Sequence, residues 1–218
     1  MRKYILFSLL MYFSVGFLFA QQDPKAKAIL DAISQRYKGL GAFKVFFNYT
    51  LNNKSAGVSD KVSGEVAVKD DKYLLKVKGQ EIYCNGKTLW TYLKDDNEVN
   101  ISDYEPEPGE VTPTNIYTIY QTGYKYVFVG ETTEAGEVFE NIELTPNNAN
   151  ARYFKIKIKS NKATKSIKTW EIYEKNGNVY TYAIYQLNQL SFPSTTAVDS
   201  YFSFDKTKYP NVRVVDLR

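Results

Sequence analysis

Most of the chain alternates between apolar and polar residues with a period of two, which sorts successive side chains onto the two faces of a β-sheet. The clearest run has apolar residues at Phe43, Val45, Phe47, Tyr49 and Leu51. Similar runs follow, with apolar residues at Val62, Val66 and Val68, at Tyr73, Leu75 and Val77, at Val138, Ile142 and Leu144, and at Phe154, Ile156 and Ile158. This pattern is typical of half-buried antiparallel strands.

Clusters of turn-forming residues divide these strands at positions 52–59, 69–71, 95–97, 145–150, 160–163 and 176–178. A further turn is predicted at Asn85-Gly86, because Asn-Gly readily adopts the positive backbone torsions of a tight hairpin. The residues that follow, up to Tyr92, are rich in β-branched and aromatic side chains and predict a strand. We therefore expect ten or eleven strands in meander order.

Two segments show helical periodicity instead. The first has Ala26, Ile29, Leu30, Ile33 and Tyr37 on one face. Asp23 can cap this helix, Pro24 can begin it and Gly39 can end it. A second helix is predicted between Thr112 and Gly123, with Ile116, Ile119 and Tyr120 on its apolar face. Because a sheet of about ten strands tends to curl, we expect both helices to cover its concave face.

The first twenty residues are predicted to be an export signal. Arg2 and Lys3 provide the positive start, an apolar stretch follows, and Ala20 marks the predicted cleavage point. The alternative is an uncleaved membrane anchor. The remaining residues, 21–218, are predicted to form a single domain with a sizeable core.

The composition offers few groups for catalysis. The chain has no histidine and a single cysteine, Cys84, which excludes an internal disulfide and removes the commonest general base and metal ligands. Glu105, Glu107 and Glu110 could act as an acid–base set or hold calcium, but the prolines and glycine between them favour an exposed loop. We therefore expect no enzymatic activity, no cofactor and no metal site.

The charge balance is mild, with 28 basic and 24 acidic residues. The densest basic run contains Lys155, Lys157, Lys159, Lys162, Lys165 and Lys168. It fits either an anion-binding patch or the solvated face of two strands, and the alternation of its first members with apolar residues favours the second interpretation. Export and modest charge together predict that nucleic acid is not a partner.

Aromatic residues are frequent, with 19 Tyr, 13 Phe and 2 Trp. Two segments carry apolar residues on both strand faces: one contains Leu89, Trp90, Tyr92 and Leu93, and the other contains Tyr180, Tyr182, Ile184 and Tyr185. Such strands fit either a protein core or the wall of a ligand cavity, where tyrosine combines apolar area with a polar tip.

The order of these features resembles the LolA family, the carriers that take lipoproteins across the periplasm of Gram-negative bacteria to the outer membrane. The family's turn and strand of the form Asp-Gly-Lys-Thr-Leu-Trp-x-Tyr is similar to residues 85–92. A helix, a Phe-containing strand like 43–52 and a Gly-containing strand like 64–69 precede it. Residues 201–204 and 210–214 resemble the family's closing Phe-x-Phe and Pro-x-x-Val pattern. The resemblance covers nearly all of the chain after the predicted signal.

One site departs from the family pattern. Many LolA proteins have an Arg-Pro pair after the valine strand, which in this chain is the strand with Val62, Val66 and Val68. The arginine of that pair is thought to latch the lid helices, whereas this chain has Asp70-Asp71 there. Aspartate cannot donate the arginine's fork of hydrogen bonds. The family's aromatic residue just after the pair corresponds to Leu74. We therefore expect this protein to share the family's acyl-chain cavity but not the arginine that latches its lid.

The resemblance implies a mainly β, strongly curved and unclosed antiparallel half-barrel, with short helices covering its concave apolar face. The implied acyl-chain cavity has as candidate residues Phe43, Val45, Phe47, Tyr49, Val66, Val68, Tyr73, Leu75, Trp90 and Tyr92. The implied lid contains Ile116, Ile119 and Tyr120. The implied partners are acylated lipoproteins, an inner-membrane ABC-type lipoprotein-releasing complex and an outer-membrane acceptor, and we expect a periplasmic monomer.

Two alternatives belong to other classes of protein. A periplasmic enzyme or enzyme accessory that holds a small amphiphile would need a polar constellation in the pocket, for which the glutamates at 105–110 are the available candidates. A small outer-membrane barrel would place lysine-bearing strand faces against lipid, and the chain ends in Arg218 without a terminal aromatic residue.

Overall fold

The computed structural model describes residues 22–53, 56–107 and 109–218, so the predicted export signal lies outside the described residues. The helices are α1 (Pro24–Leu40) and α2 (Thr195–Tyr201). The strands are β1 (Ala42–Asn53), β2 (Val58–Lys69), β3 (Lys72–Val77), β4 (Gln80–Cys84), β5 (Thr88–Leu93), β6 (Glu98–Asp103), β7 (Tyr124–Glu134), β8 (Glu137–Pro146), β9 (Tyr153–Asn161), β10 (Ile167–Glu174), β11 (Val179–Gln189) and β12 (Arg213–Asp216). No helix in these residues is long and apolar enough to cross a membrane.

All twelve strands form one sheet in the order β12-β6-β5-β4-β3-β2-β1-β11-β10-β9-β8-β7. Neighbouring strands are antiparallel except for β12, which pairs with β6 in parallel. The sheet is open, because β12 and β7 lie at its opposite edges. The predicted meander order holds only within parts of the sheet, and the described residues form twelve strands instead of ten or eleven. Two meanders, β1–β6 and β7–β11, join through the pairing of β1 with β11, and the short β12 lacks the alternation that would have revealed it.

The first helix forms as predicted. The Asp23 side chain accepts hydrogen bonds from the backbone N–H groups of Lys25 at 2.8 Å and Ala26 at 3.2 Å, which supplies partners for the orphan donors of the first turn. The buried face consists of the predicted Ala26, Ile29, Leu30, Ile33 and Tyr37, together with Ser34. The helix ends at Leu40 instead of Gly39, because Gly41 with a φ of 70° forms the C-cap.

The second predicted helix does not form. Residues 113–118 adopt consecutive turns, and only Ile119–Gln121 form a short 3₁₀ helix. The Asn115 side chain accepts from the Thr112 backbone N–H at 2.9 Å and donates to the Glu110 carbonyl at 2.7 Å, and such side-chain bonds compete with helical ones. The sequence pattern did not reveal α2, which is a seven-residue helix capped by Ser194.

The predicted turn at Asn85-Gly86 is confirmed and connects β4 to β5. The Asn85 side-chain oxygen accepts from the backbone N–H groups of Lys87 at 3.0 Å and Thr88 at 2.8 Å. Gly86 has a φ of 89°, which an L-residue with a side chain rarely adopts. The turn therefore fixes the register in which Trp90 lies opposite Tyr83.

The sheet buries apolar residues on both faces. On one face, which we call the α1 face, the buried face of α1 packs against alternate residues of β1, β2 and β7–β10. On the opposite face, the α2 face, Val198 and Phe202 pack against Ala67, Leu74 and Tyr83. Successive residues of a strand point to opposite faces, so Val66 and Val68 belong to the α1 face and Ala67 to the α2 face. The two helices of the structure, α1 and α2, thus cover opposite faces of the sheet.

The predicted face of β9 needs one correction. Ile156 and Ile158 are buried on the α1 face as expected, whereas Phe154 is exposed. The pairing of β9 with β10 shifts register between Tyr173 and Glu174, which leaves Phe154 as the extra residue of a bulge. A β-bulge redirects its side chain, and the Phe154 ring packs at 6.3 Å from that of Tyr173.

Candidate functional site

Eight of the ten predicted cavity residues gather on the α1 face. Phe43, Val45, Phe47, Val66, Val68 and Tyr73 are buried in one cluster, and Tyr49 and Leu75 pack against it. The pairing register brings them together, since Phe43 lies opposite Val68 and Val68 lies opposite Tyr73. They form an apolar surface that continues across neighbouring strands.

Trp90 and Tyr92 lie on the α2 face and are not part of that surface. Trp90 pairs with Tyr83, which pairs with Leu74, and Leu74 contacts the helix α2 cluster. The Tyr92 ring lies 4.4 Å from that of Tyr209. Trp90 and Tyr92 share one strand face, as alternation requires, and this face packs against the C-terminal residues Phe204 and Tyr209.

The α1 face is covered by α1 and by residues 104–123, which we call the β6–β7 connection. This connection links two strands at opposite ends of the sheet order, and it therefore crosses the sheet. Of the predicted lid residues, Ile119 and Tyr120 are buried in the same cluster as the cavity candidates, and Ile116 packs against it. The structure brings the predicted lid and most of the predicted cavity together.

Aromatic contacts hold the connection in place. The Tyr117 ring stacks on that of Tyr37 in α1, with centroids 5.5 Å apart, and the Tyr104 ring meets the edge of Tyr73 at 5.9 Å. Burial raises the pKa of Tyr37 to about 12, so its phenol stays neutral at physiological pH. The Tyr37 hydroxyl accepts a hydrogen bond from the Ile167 backbone N–H at 3.2 Å.

Hydrogen bonds fasten the connection at two further points. Tyr120 donates to Asp31 Oδ1 of α1 at 2.7 Å. The Gly109 carbonyl accepts from the Tyr153 hydroxyl at 2.6 Å and from the Tyr124 hydroxyl at 3.1 Å. These tyrosines were not among the lid residues predicted from the sequence, apart from Tyr120, because their partners are distant along the chain.

The Asp70-Asp71 pair does not act as an arginine would. Both side chains are exposed and pair with the lysines beside them, Lys69 at 3.2 Å and Lys72 at 3.5 Å. Burial, and to a smaller extent the charge of Asp70, raises the pKa of Tyr117. The connection is thus held by tyrosine contacts in place of a guanidinium fork.

Five of the six lysines in the basic run, on β9 and in the turn after it, are matched by carboxylates. Nζ···Oε distances of 4.0 Å or less join Lys155 and Lys157 to Glu143, Lys159 to Glu134, Lys162 to Glu131 and Lys165 to Glu140. Interleaved charges of both signs do not form an anion-binding patch. The solvated-face interpretation therefore fits the structure.

The glutamates at 105–110 form no polar constellation within the α1-face cluster. Glu105, Glu107 and Glu110 are exposed, and Glu110 Oε2 accepts from the Glu107 backbone N–H at 3.0 Å. Within the described residues, no group of three or more His, Cys, Asp or Glu side chains is arranged to hold a metal ion.

Comparisons with known proteins agree with this architecture. The structure is similar to that of a conserved uncharacterized protein from Thermus thermophilus, with 11% sequence identity, a TM-score of 0.56, and coverage of 88% of this chain and 99% of that one. At this identity the likeness concerns the fold alone. A LolA superfamily protein from Nitrosomonas europaea matches with 14% identity, a TM-score of 0.44, and coverage of 82% of this chain and 97% of that one. No curated protein matches the sequence significantly.

A family model gives the stronger result, because it compares residues along the sequence. The model described as outer membrane lipoprotein carrier protein LolA matches residues 17–140, which include α1, the valine strand, the Asn85-Gly86 turn and the β6–β7 connection. This match spans more than half of the chain, and the protein therefore belongs to the LolA family of outer membrane lipoprotein carriers.

Proposed function

We propose that the protein is a periplasmic carrier that shields the acyl chains of lipoproteins and moves them from the inner to the outer membrane. The observation that carries the proposal is the apolar α1 face, whose cover consists of a helix and a connection of turns outside the strand ladder. Such a cover can move while the sheet keeps its hydrogen bonds. The carrier function needs no catalytic step and no cofactor.

The driving force for binding is hydrophobic. Each methylene group gains about 0.8 kcal/mol on leaving water, so an acylated protein cannot cross an aqueous space unaided. In the carrier, acyl chains contact the surface that includes Phe47, Val66 and Val68, while the β6–β7 connection moves aside. We propose that this surface is the concave face of a strongly curled half-barrel.

Release is possible because binding exchanges one set of apolar contacts for another. The contacts of Ile119 and Tyr120 with the sheet are lost when acyl chains enter, and they are regained when the chains leave. The net affinity is the difference between the two sets. A moderate difference suits a carrier that must deliver its cargo.

The chain has no nucleotide-binding motif, so energy for loading must come from a partner. We assign that role to an inner-membrane ABC-type lipoprotein-releasing complex, and delivery to an outer-membrane acceptor. Residues 21–218 act as one monomeric carrier domain after removal of the signal. These partners and this processing belong to the proposal.

Photo-crosslinking tests the cavity directly. A photoreactive phenylalanine analogue replaces Ile119 under the cover, and a second variant carries it at Trp90 on the α2 face as the matched control. Each variant is expressed in a Gram-negative host, irradiated and analysed by mass spectrometry. We expect acylated lipoprotein adducts at position 119 and none at position 90. Lipoprotein adducts at position 90 alone would overturn the proposal. Adducts at both positions that carry no acyl chains would also overturn it.

A further inference from the structure

Two fully buried polar side chains on the α1 face have no hydrogen-bond partner within the described residues. They are the Ser160 hydroxyl on β9 and the Trp170 indole N–H on β10, both with 0% exposure. A buried polar group without a partner costs about 1–3 kcal/mol, so native cores rarely retain one without a reason. A ligand that brings an acceptor oxygen would satisfy both groups.

The pairing register sets the two groups near each other. Trp170 lies opposite Ile158, and Ser160 is two residues further along the same strand and face. Diagonal neighbours of this kind are about 7–8 Å apart at the backbone, within reach of an aromatic side chain. The nearby Glu140 is the cross-strand neighbour of Ser160, and Lys165 Nζ binds its carboxylate at 2.6 Å.

A pocket of about 210 Å³ opens beside this pair. Its lining includes Phe139, Asn161, Ile167, Lys168, Ile184 and Leu187. Asn161 is the chain neighbour of Ser160, and Ile167 is its cross-strand partner. Ser160 and Trp170 are not among its lining residues, whereas Ile167, Ile184 and Leu187 of the α1-face cluster are. A ligand in the pocket reaches the buried pair only when this apolar wall moves.

The pocket exists because the sheet opens at this point. The pairing of β10 with β11 begins at Thr169 opposite Ala183, whereas β11 continues to Gln189 with β1 as its neighbour. Tyr185 is the extra residue of a bulge in β11 and is exposed. A ligand can thus place its head group at the opening, its carbonyl at the buried pair and its hydrocarbon chain under α1.

We infer that Ser160 and Trp170 bind the ester or amide carbonyl of an acylated ligand that enters through this pocket and displaces its apolar wall. The inference rests on the proposed carrier function and adds where the polar end of the acyl chain is held. An indole N–H can only donate, and a serine hydroxyl can donate as well, so both suit a carbonyl oxygen. A hydrocarbon chain alone offers them nothing.

A pair of lipopeptides tests this directly. Both carry a cysteinyl peptide with two sixteen-carbon glyceryl chains, attached by ester bonds in one and by ether bonds in the other. The ether form keeps the chain length but lacks the carbonyl oxygens. We expect the purified protein to bind the ester form about tenfold more tightly, which corresponds to about 1.4 kcal/mol. Ser160→Ala and Trp170→Phe should each bring the ratio of the two dissociation constants, ether form over ester form, closer to one.

Stability separates a binding role from a structural one. Because the Ser160 hydroxyl has no partner in the free protein, Ser160→Ala should keep or raise the unfolding midpoint while it weakens ester binding. The matched control is Ser63→Ala, since the Ser63 hydroxyl donates to Asn48 at 2.8 Å on the surface. This control should leave the preference for the ester unchanged.

Fluorescence gives a readout that does not depend on affinity. In the Trp90→Phe variant, Trp170 is the sole tryptophan, and a hydrogen bond to its indole N–H should shift its emission to longer wavelength with the ester form only. If neither lipopeptide binds, the proposed carrier function fails. If both bind equally and Ser160→Ala changes nothing, the carbonyl site fails while the carrier function stands.

Discussion

Tyr120 in the β6–β7 connection donates a hydrogen bond of 2.7 Å to Asp31 Oδ1 in α1. The two residues belong to the two segments that cover the α1 face, so this bond joins the parts of the cover to each other. The Tyr120 ring is buried, and its edge meets the Tyr126 ring of β7 at 6.0 Å. Removing this bond therefore tests whether it holds the cover closed.

Tyr120→Phe should weaken the attachment of the cover without creating a cavity in the core. The variant keeps the ring and loses the hydroxyl, so we expect the free energy of unfolding to fall by about 1 kcal/mol. Backbone amides at 112–121 should exchange hydrogen faster, and the protein should load a lipopeptide more quickly. Hydrogen exchange with mass spectrometry measures the first effect.

The control for Tyr120 is Tyr185→Phe, which removes a hydroxyl from an exposed ring. It should leave hydrogen exchange at 112–121 unchanged. Equal exchange rates in the Tyr120→Phe variant and the unmodified protein would contradict a latch at this position.

Acid should weaken the same contact. Hydrogen bonds from Lys27 first, and from Tyr120 second, hold the pKa of Asp31 below its ordinary value. A depressed pKa in the folded state means that the stabilisation is present above the unfolded value of about 4 and is lost as the pH falls through the folded pKa. Asp31→Asn should therefore be less stable than the unmodified protein at neutral pH, and this difference should close in acid.

Urea unfolding of the two proteins at several pH values measures that difference. The comparison removes the contribution of the other carboxylates, because they titrate in both proteins. A difference that is constant between pH 6 and acid would show that the Asp31 charge does not support the cover.

Gly64→Ala should disturb the α1 face. A Cβ atom at Gly64 would lie 2.8 Å from Phe47 Cζ, 2.9 Å from Val77 Cγ1 and 3.0 Å from the Lys76 carbonyl oxygen. The backbone oxygen cannot move as a flexible side chain can, so we expect a loss of about 1–3 kcal/mol in unfolding free energy. Lipopeptide binding should weaken with it, since Phe47 belongs to the proposed acyl-binding surface.

Gly39→Ala is the matched control, because a Cβ there meets no atom within 4 Å. Gly39 lies in the last turn of α1, where alanine is the better helix former, and the substitution should stabilise by up to about 1 kcal/mol. Chemical denaturation compares the two variants. A similar loss for both would contradict the packing argument.

Glu81→Gln should loosen the C-terminal segment on the α2 face. Burial by itself raises the pKa of Glu81, but hydrogen bonds from Tyr83 and Lys94 and the charges of Lys76 and Lys94 outweigh it and lower the pKa. The carboxylate accepts from Tyr83 at 2.7 Å and from Tyr209 at 3.1 Å. Because Lys94 is partly exposed, we expect a loss of about 1–2 kcal/mol.

Limited proteolysis after α2 and urea unfolding measure the effect of Glu81→Gln. The control is Glu134→Gln, whose carboxylate pairs with Lys159 at 2.6 Å on an exposed part of the sheet. Its effect should stay within about 0.5 kcal/mol. Equal losses for both variants would argue against a specific role of Glu81 in holding Tyr209.

The sequence was sufficient wherever the structural signal is local. The cap at Asp23, the apolar face of α1, the Asn85-Gly86 turn and the alternation in β1 all depend on residues a few positions apart. Local rules failed at Asn115, where side-chain bonds replaced a helix with turns. They also failed at Phe154, where a bulge reversed the face.

Where a strand has no bulge, the sequence by itself determined which of its residues share a face, as it did for Trp90 with Tyr92 and for Val66 with Val68. It could not determine which of these faces packs against α1, because that depends on how several strands pair with one another. Only the tertiary structure assigned Trp90 to the α2 face and brought Tyr120 to Asp31, 89 residues away in the chain. The physical reason is that strand alternation is set by neighbouring residues, whereas pairing and packing join residues whose separation in the sequence carries no signal.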